Sequence, residues 1–381
     1  MKTLLASIVR RARRAAGRLI RPRRAIAVTA ATADFNDPVI AADPYPHYET
    51  LRRTGSVHFL PRHDAWVVLG YDDVQSGFTR PNLFSNRPYE DIDRMLLAAD
   101  PPDHTAMRKV VSRFFTPDTI EQLDAFAERF TVSMLRPRMD IARDYGQPLS
   151  DAVTAELLGL TSADLATIRA ARADIRDLSQ YIRTLHEVSS GTAVYRKLIE
   201  SGIDDAAARS VTALFWLAGT VTTERVIAYA VLELLQHDDV RRTLTNDHAR
   251  IPAFLDEVLR LHAAELMVPR VTTSAVTLGG VDIPAGALVH LAVAAANRDP
   301  EKFEEPHAFR LDRPGPRHVT FGFGVHHCAG ALLARRVIAT SVRALLVHAP
   351  DFRAAAPLGE LPRIARMTVH YLDRLPIETG R

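Results

Sequence analysis

The chain has 381 residues, of which 47% are hydrophobic and 24% charged, as is typical of folded globular proteins rather than fibrous or disordered ones. Cys328 is its one cysteine, which excludes an intrachain disulfide and a cysteine-rich zinc site and favours a reducing compartment, the cytoplasm. No apolar run approaches the roughly eighteen residues that indicate a transmembrane helix.

The first 24 residues carry most of the positive charge of the chain. They contain nine basic side chains and no acid, so removing +9 from the net charge of +3 leaves about −6 for the rest. Three interpretations stay open: a flexible leader, peripheral contact with an anionic membrane surface, and a targeting segment. Nucleic-acid binding is disfavoured because no aromatic residues are interleaved. We therefore separate residues 1–34, a basic segment that is flexible or at a membrane surface, from the domain that follows.

One domain is predicted for residues 35–381, because no linker, repeat or low-complexity stretch divides them. Apolar residues at three- and four-residue spacing predict helices over 119–136, 148–159, 161–190, 205–236, 251–262 and 329–349. Short β-like runs lie at 57–60, 65–70, 276–283 and 287–293, and Pro-Ala-Gly between the last two predicts a hairpin. The fold class is therefore mainly α with small β-sheets, which excludes a Rossmann domain.

The segment FGFGVHHCAG at 321–330 surrounds Cys328 with three glycines and runs directly into a helical stretch. Glycines at this spacing let the backbone pass close to a flat ligand. A cysteine just before a helix faces amides and the positive end of the helix dipole, which favours its thiolate, a ligand that promotes O–O cleavage on haem iron. A buried structural cysteine, or a nucleophile with His326 or His327 as base, are the alternatives, but neither explains the glycines.

These residues resemble the haem-binding signature of the cytochromes P450. The resemblance implies that Cys328 is the iron ligand of a haem b and that Phe321, Gly322, His326 and Gly330 contact this cofactor. Glu257 and Arg260 share a helix face, and Glu257 lies 71 residues before the cysteine, similar to the Glu-x-x-Arg pair of the family. An exposed ion pair would be the ordinary interpretation of such spacing, and the match in separation argues against it.

Four further basic residues are similar to the haem-propionate contacts of the family. They are His104, Arg108, Arg270 and His318. His104 and Arg108 are four apart and therefore share a helix face, and both can donate to a carboxylate. A single arginine is more often a solvated charge, but together these residues provide cations for two propionates that would otherwise be buried unpaired.

The segment LFWLAGTVTTERVIAYAVLELL is similar to the long helix that crosses the oxygen side of the haem. Ala218 and Gly219 are expected to leave room for dioxygen, and Thr222 matches the threonine that holds the hydrogen bonds for proton delivery. The family has an acid before the two threonines, whereas this chain has Val221, which carries no proton. Glu224 lies one turn away and is a candidate replacement, although a salt-bridged Glu224 is the alternative.

The resemblance predicts a cytochrome P450 fold and a monooxygenase that hydroxylates or epoxidises a hydrophobic small molecule, in secondary or catabolic metabolism. Because Val221 replaces the acid, a peroxide-using or otherwise atypical enzyme is the alternative, and a non-catalytic haem-binding protein is the alternative from another class. Pocket candidates are the 86–98 loop, Leu214, Leu217, Leu266, Met267, Val268 and Met367.

The partners expected from this resemblance are a separate electron donor, a ferredoxin with its reductase, and no nucleic acid. Arg108, Lys109, Arg335 and Arg336 are candidates for a basic docking face, with ordinary solubility as an equal alternative. The segment 161–205 looks shorter than the usual lid over the substrate, which suggests an open pocket that admits a large or carrier-bound substrate.

Overall fold

The computed structural model describes residues 29–173 and 178–380. The basic residues 1–24, and with them the expected membrane or targeting role, lie outside the described residues. Ala33 and Phe35 are already buried, so packing of the domain core begins at this point of the chain.

Helices make up most of the described residues, and the mainly α fold class predicted from the sequence is confirmed. Their bounds are α1 Pro38–Ala42, α2 Tyr45–Arg52, α3 Tyr71–Thr79, α4 Asp103–Val111, α5 Pro117–Met134, α6 Gln147–Leu158, α7 Ser162–Ala173, α8 Leu178–Ser189, α9 Ala193–Glu200, α10 Asp205–Gln236, α11 Asp238–Asn246, α12 Ile251–Leu261, α13 Val293–Ala296 and α14 Ala331–His348. Five of the six predicted stretches end within two residues of these bounds. The sixth, 161–190, spans both α7 and α8, which pack apolar residues in one cluster with α10.

The long helix α10 forms the centre of the molecule. The Asp204 carboxylate caps it by accepting from the amide of Ala207 at 3.0 Å. Buried residues lie on every side of the helix, and it packs against α6, α8 and α14. A helix that is apolar on all sides is typical of a protein interior. Helix α10 therefore holds the residues of its middle turns in fixed positions.

The strands form small sheets, and the largest of them is built around buried residues. Their bounds are β1 Val57–Leu60, β2 Ala65–Val68, β3 Phe84–Ser85, β4 Arg138–Asp140, β5 Val268–Thr272, β6 Val276–Leu278, β7 Val281–Ile283, β8 Leu288–Leu291, β9 Arg353–Ala354, β10 Arg363–Ala365, β11 His370–Leu372 and β12 Pro376–Glu378. The largest sheet has the order β1-β2-β8-β5-β3, and the smaller ones are β4-β12-β9, β10-β11 and β6-β7.

The hairpin predicted between 276–283 and 287–293 is wrong. The turn lies inside the first run, where Gly279 and Gly280 have φ of +56° and +75° and connect β6 to β7. Two successive positive-φ residues fit a two-residue hairpin, for which glycines are suited. The second run instead becomes β8, which pairs with β2 in parallel and with β5 antiparallel.

The described part of the predicted lid, residues 161–205, is well packed against α10. Ile168, Tyr181 and Leu185 are buried, and the Trp216 indole donates to the Tyr181 hydroxyl at 2.9 Å. This packing counts against the open lid expected from the short segment 161–205. Among the described residues, no helix is long and apolar enough to cross a membrane.

Candidate functional site

A cavity of about 370 Å³ lies between the middle of α10 and the loop that carries Cys328. This volume is within the range of ligand-binding cavities, roughly 300–1,000 Å³. Ala218 contributes to the wall from α10 and Cys328 contributes from the opposite loop, and both side chains are exposed to it despite their positions inside the fold. The oxygen-side residue Ala218 and the cysteine of the loop, which are far apart in the sequence, therefore lie at one site, as the resemblance predicts.

The Cys328 loop has a backbone that only its glycines can adopt without strain. Gly322 and Gly324 have φ of +67° and +68°, in the left-handed region. A Cβ on Gly324 would also lie 2.9 Å from the carbonyl oxygen of Phe78. The loop closes by a hydrogen bond from the Cys328 amide to the Phe321 carbonyl at 2.9 Å. This closed loop presents the sulfur toward the cavity.

Gly330 begins the turn into α14 and has a different role from the two left-handed glycines. A Cβ built on it would meet no atom closer than 3.7 Å, on the ring of Phe115. The protein itself thus leaves open space beside Gly330, on the lining of the cavity. This is the space that a flat ligand lying against the loop would need.

Burial raises the pKa of the Cys328 thiol, whereas the sequence led us to expect that the helix end would favour the thiolate. The Gly330 amide and Arg108 act in the expected direction but have smaller effects than burial. A coordinated metal ion deprotonates a thiol directly, so a thiolate at Cys328 would require a bound metal ion.

The Glu257–Arg260 pair is buried, and the surface ion-pair interpretation is excluded. Arg260 donates from Nε and Nη2 to the two Glu257 oxygens at 2.7 Å each, with side chains 2% and 3% exposed. Arg313, which the sequence did not indicate, also pairs with Glu257 at 2.8 Å. Arg260 Nη1 reaches the carbonyl of Asn297, whose side chain accepts from the Val319 amide at 2.7 Å. The network therefore fastens the chain just before the cysteine loop.

One edge of the cavity collects four of the predicted basic side chains: His104, Arg108, Arg270 and His326. The rings of His104 and His326 lie 3.9 Å apart, and burial is the main reason why the pKa of His326 falls to about 3. His104 Nδ1 and His326 Nε2 are buried without hydrogen-bond partners in the described part of the chain. No described carboxylate forms an ion pair with Arg108 or Arg270. Cationic groups and unpartnered ring nitrogens at one edge fit two carboxylates of a bound group, as the two propionates of haem require.

His318 does not join this edge. Its imidazole lies outside the cavity lining, where Nε2 is 3.7 Å from Asp256 and 3.1 Å from Nη2 of Arg335. The acid and the arginine on α12 and α14 hold the ring between them, which explains the departure from the predicted position. The basic group that reaches the cavity from this part of the sequence is His326 instead.

On the opposite wall, Thr222 faces the cavity from α10. Its Oγ1 donates to the Ala218 carbonyl at 2.8 Å, one turn earlier. Gly219 also lines the cavity, but a Cβ there would lie 2.8 Å from Oγ1 of Thr154 on α6. Gly219 is thus needed for close packing of α6 and α10, in addition to the open space that we expected it to provide.

Glu224 is engaged away from the cavity lining. Both of its oxygens accept from Nη2 of Arg172 on α7, at 2.9 and 2.8 Å. Burial raises the pKa of Glu224, and Arg172 opposes this shift. The salt-bridged alternative therefore describes its position, and its role as a proton donor stays a prediction.

The predicted pocket residues divide between the cavity and another core. The cavity includes Leu214, Val268 and, from the 86–98 loop, Asn86, Tyr89, Leu96 and Leu97. Leu266, Met267 and Met367 were wrongly assigned, because they pack with Phe35 and Tyr48 in a separate buried cluster. Leu217 packs on the core formed with the lid helices. Glu265, an acidic residue that no motif of the sequence indicates, also lies in the cavity lining.

The proposed docking residues are not equally available. Lys109 is exposed, and the Arg336 side chain is 61% exposed with its nearest acid 3.9 Å away. Arg335 is paired with Asp256, and Arg108 donates to the carbonyl of His327 at 2.7 Å. The positive charge free for a partner on this face is therefore mainly that of Lys109 and Arg336.

Known proteins are similar to this chain in sequence and in architecture. The family model described as Cytochrome P450 matches residues 192–348. Cytochrome P450 109 of Bacillus spizizenii is 32% identical over 370 residues, which are 88% of this chain and 91% of that protein. The vitamin D(3) 25-hydroxylase of Pseudonocardia autotrophica is 30% identical over 379 residues, 89% of this chain and 94% of that protein.

Among solved structures, that of CYP109E1 from Bacillus megaterium in complex with corticosterone superposes with a TM-score of 0.81. Its sequence is 25% identical, and the match covers 90% of this chain and 99% of that one. The likeness therefore extends over the described body and not only over the cysteine loop.

Proposed function

We propose that this chain, which belongs to the cytochrome P450 family and is a haem-dependent monooxygenase, inserts oxygen into a hydrophobic small molecule by hydroxylation or epoxidation. The observation that carries this proposal is the apolar cavity with Cys328 on one wall and Thr222 on the other. When bound, the haem iron supplies the activation of oxygen.

In this proposal Cys328 Sγ is the protein ligand of the iron. Arg108 and Arg270, with His104 and His326, would hold the two propionates, since all four line the cavity and the other three lie near enough to His326 to lower its pKa. Arg270 is only 4% exposed and its guanidinium lies 5.2 Å from the ring centre of Phe78, so its direction is fixed before the cofactor binds. Charge-assisted hydrogen bonds from preset donors orient the group that they bind.

Thr222 holds a transferable proton at Oγ1 beside the reaction site. Its hydrogen bond to the Ala218 carbonyl keeps the hydroxyl on the cavity side of α10 and leaves the oxygen lone pairs free to accept from water. Val221 adds no proton donor, so Thr222 and water form the shortest route that these residues offer.

The walls support an apolar substrate. Leu96, Leu214, Phe215 and Val268 contribute hydrocarbon surface, which binds apolar molecules by releasing water. The names of two similar proteins, a vitamin D(3) 25-hydroxylase and an enzyme in complex with corticosterone, support a substrate of the same lipophilic kind. We assign this chain to secondary or catabolic metabolism on the same ground. The packed lid offers no support for a carrier-bound substrate.

Bacterial members of this family generally take electrons from a separate partner such as a ferredoxin. We propose a ferredoxin with its reductase for this chain, docking on the face with Lys109 and Arg336 near the cysteine loop. A cytoplasmic location is proposed with it, supported by the single cysteine. Contact of residues 1–24 with anionic membranes stays a proposal that co-sedimentation with phosphatidylserine vesicles tests, with and without this segment.

A second candidate, use of peroxide in place of oxygen and a donor protein, is favoured by one observation. Val221 carries no proton, and the nearby acid Glu224 is held by Arg172. An enzyme supplied with peroxide receives its protons together with its oxygen and has less need of a delivery route.

The test begins with the absorption spectrum of the reduced, CO-bound holoenzyme. The thiolate assignment requires the red-shifted band in the wild type and its loss in Cys328→Ser. Product formation is then compared with ferredoxin, reductase and NADH and with hydrogen peroxide alone. Product formed only with the donor proteins supports the monooxygenase, and product formed only with peroxide supports the second candidate. Absence of the red-shifted band overturns both.

A further inference from the structure

Glu265 is the one carboxylate that lines the cavity within residues 29–173 and 178–380. The other charged groups in the lining are the basic residues at the cofactor edge. Burying an acid in a mostly apolar wall costs free energy unless the acid has hydrogen-bond or charge partners. The partners of Glu265 therefore indicate its role.

A single arginine holds Glu265. Nη1 of Arg225 donates to Oε1 of Glu265 at 3.0 Å and to the carbonyl of Ala264 at 3.2 Å. The guanidinium lies 4.3 Å from the ring centre of Tyr371 and is 10% exposed, so it has little freedom to move. Arg225 therefore fixes the carboxylate in place through one oxygen.

The second oxygen of Glu265, Oε2, has no hydrogen-bond partner in the parts of the chain that the structure describes. The side chain is 45% exposed, yet burial raises the pKa of its carboxyl. Both facts hold together if the exposed surface faces the cavity and not bulk solvent. An acceptor fixed on a cavity wall and left without a protein donor is a place for a ligand donor.

The charge of this wall selects the kind of donor. Arg225 neutralises the one charge of Glu265, and the neighbouring acids Glu224 and Asp151 have their own arginines. A cationic ligand would therefore lose its hydration without gaining much electrostatic attraction from this wall. A hydroxyl group costs less free energy to desolvate.

We propose that Oε2 of Glu265 accepts a hydrogen bond from a hydroxyl group of the substrate, which we infer to be a neutral, otherwise apolar alcohol. This inference rests on the proposed monooxygenase function and adds that the alcohol is bound at a fixed position. A donor held at one point of an apolar molecule limits which of its carbons can lie over the cofactor, so Glu265 determines specificity.

The test measures binding to the ferric holoenzyme by the change in haem absorbance, with trans-decalin, trans-2-decalol and 2-aminodecalin as matched probes. We expect the alcohol to bind the wild type about tenfold more tightly than the hydrocarbon, since a site built around a buried acceptor discriminates against a molecule without the donor. In Glu265→Leu the advantage of the alcohol should fall below about twofold, while the affinity for decalin is retained.

Glu265→Leu leaves Arg225 buried without its carboxylate and is a risk to folding. The double variant Arg225→Met/Glu265→Leu removes both charges together and serves as the second test, with the same expected loss of preference. Glu156→Gln, an exposed residue on α6, is the control for a change of one charge and should keep the wild-type preference.

Equal wild-type affinities for alcohol and hydrocarbon would overturn the proposal, as would an alcohol preference that survives in both variants. Tighter binding of the amine than of the alcohol that is lost in Glu265→Leu would overturn the neutral class, because an amine bound to the iron itself would not depend on Glu265. None of these results bears on oxygen insertion, because no electrons or products enter the titration. Failure of the proposed function is seen instead as absence of product with every electron source.

Discussion

The guanidinium of Arg172 on α7 contacts two carboxylates at once, Glu224 on α10 and Asp151 on α6. It donates to both oxygens of Glu224, at 2.9 and 2.8 Å, and to Oδ1 of Asp151 at 3.2 Å. Asp151 is only 1% exposed and has Arg169 as its other partner. The Arg172 side chain thus connects the lid segment to α6 and α10, the two helices on the oxygen side of the cavity.

Replacing Arg172 by Met should destabilise the protein. The change leaves Glu224 mostly buried and without its cation, which costs about 2 kcal/mol once partial exposure is taken into account. Urea unfolding monitored by circular dichroism gives the difference. Arg87→Gln, which breaks an exposed pair with Glu90, is the control and should change stability by less than about 0.5 kcal/mol. Equal effects of the two variants would contradict the linking role of Arg172.

Glu224→Gln should retain most of the coupled turnover, within about threefold of the wild type. The reason is that both carboxylate oxygens are occupied by Arg172, while a general acid must be free to contribute its usual factor of about 10² or more. Product formed per NADH consumed, with ferredoxin and reductase, is the measurement. Thr222→Val, measured beside it, should lose well over tenfold. A comparable loss in Glu224→Gln would restore Glu224 as the proton donor that the sequence suggested.

Val221→Asp should increase the product formed per NADH by about threefold or more, because it places a titratable acid next to Thr222. Val221→Asn has nearly the same size and polarity but carries no transferable proton, so it should show no such gain. A gain in both variants would attribute the effect to polarity, and no gain in either would favour another proton route or the use of peroxide.

Glu257→Gln should weaken both the fold and the retention of haem. Glu257 is 3% exposed and receives Arg260 and Arg313, so its loss leaves two guanidinium groups short of a counter-charge at a cost of about 3–5 kcal/mol. Unfolding in urea and the haem absorbance of the purified protein report the two effects. Glu304→Gln removes a carboxylate that is 79% exposed and should cost less than about 1 kcal/mol.

The parts of the site that the sequence predicted are those formed by short-range spacing. The glycines around Cys328 and the three-residue spacing of Glu257 and Arg260 determine local geometry directly. Arg313 joins the same network from 56 residues away, and nothing in its neighbourhood distinguishes it from a solvated arginine. Contacts of this kind follow from the packing of distant segments and are not visible in a local pattern.

The same limit explains the errors at the cavity walls. His318 carries the right chemistry, but Asp256 and Arg335 hold it elsewhere. Met267 and Val268 are equally apolar neighbours, yet the first packs in a separate core and the second lines the cavity. Composition identifies such residues as buried, whereas the direction of each side chain is set by the strand that begins at Val268.

His290 on β8 should make the stability of the protein depend on pH. Burial, with a smaller effect of His63, lowers the pKa of His290 to about 4, and its Nδ1 has no partner among the described residues. The unfolded chain, with a pKa of about 6.5, therefore binds the proton first, and stability falls as pH decreases from 6.5 towards 4. Between pH 6.5 and pH 5 this one group should cost about 1.5 kcal/mol. In His290→Leu the decline in unfolding free energy over that interval should be smaller by this amount. Val289→Ala, a buried change on the same strand without a titratable group, should lower stability equally at both pH values, and a pH dependence unchanged in His290→Leu would contradict the assignment.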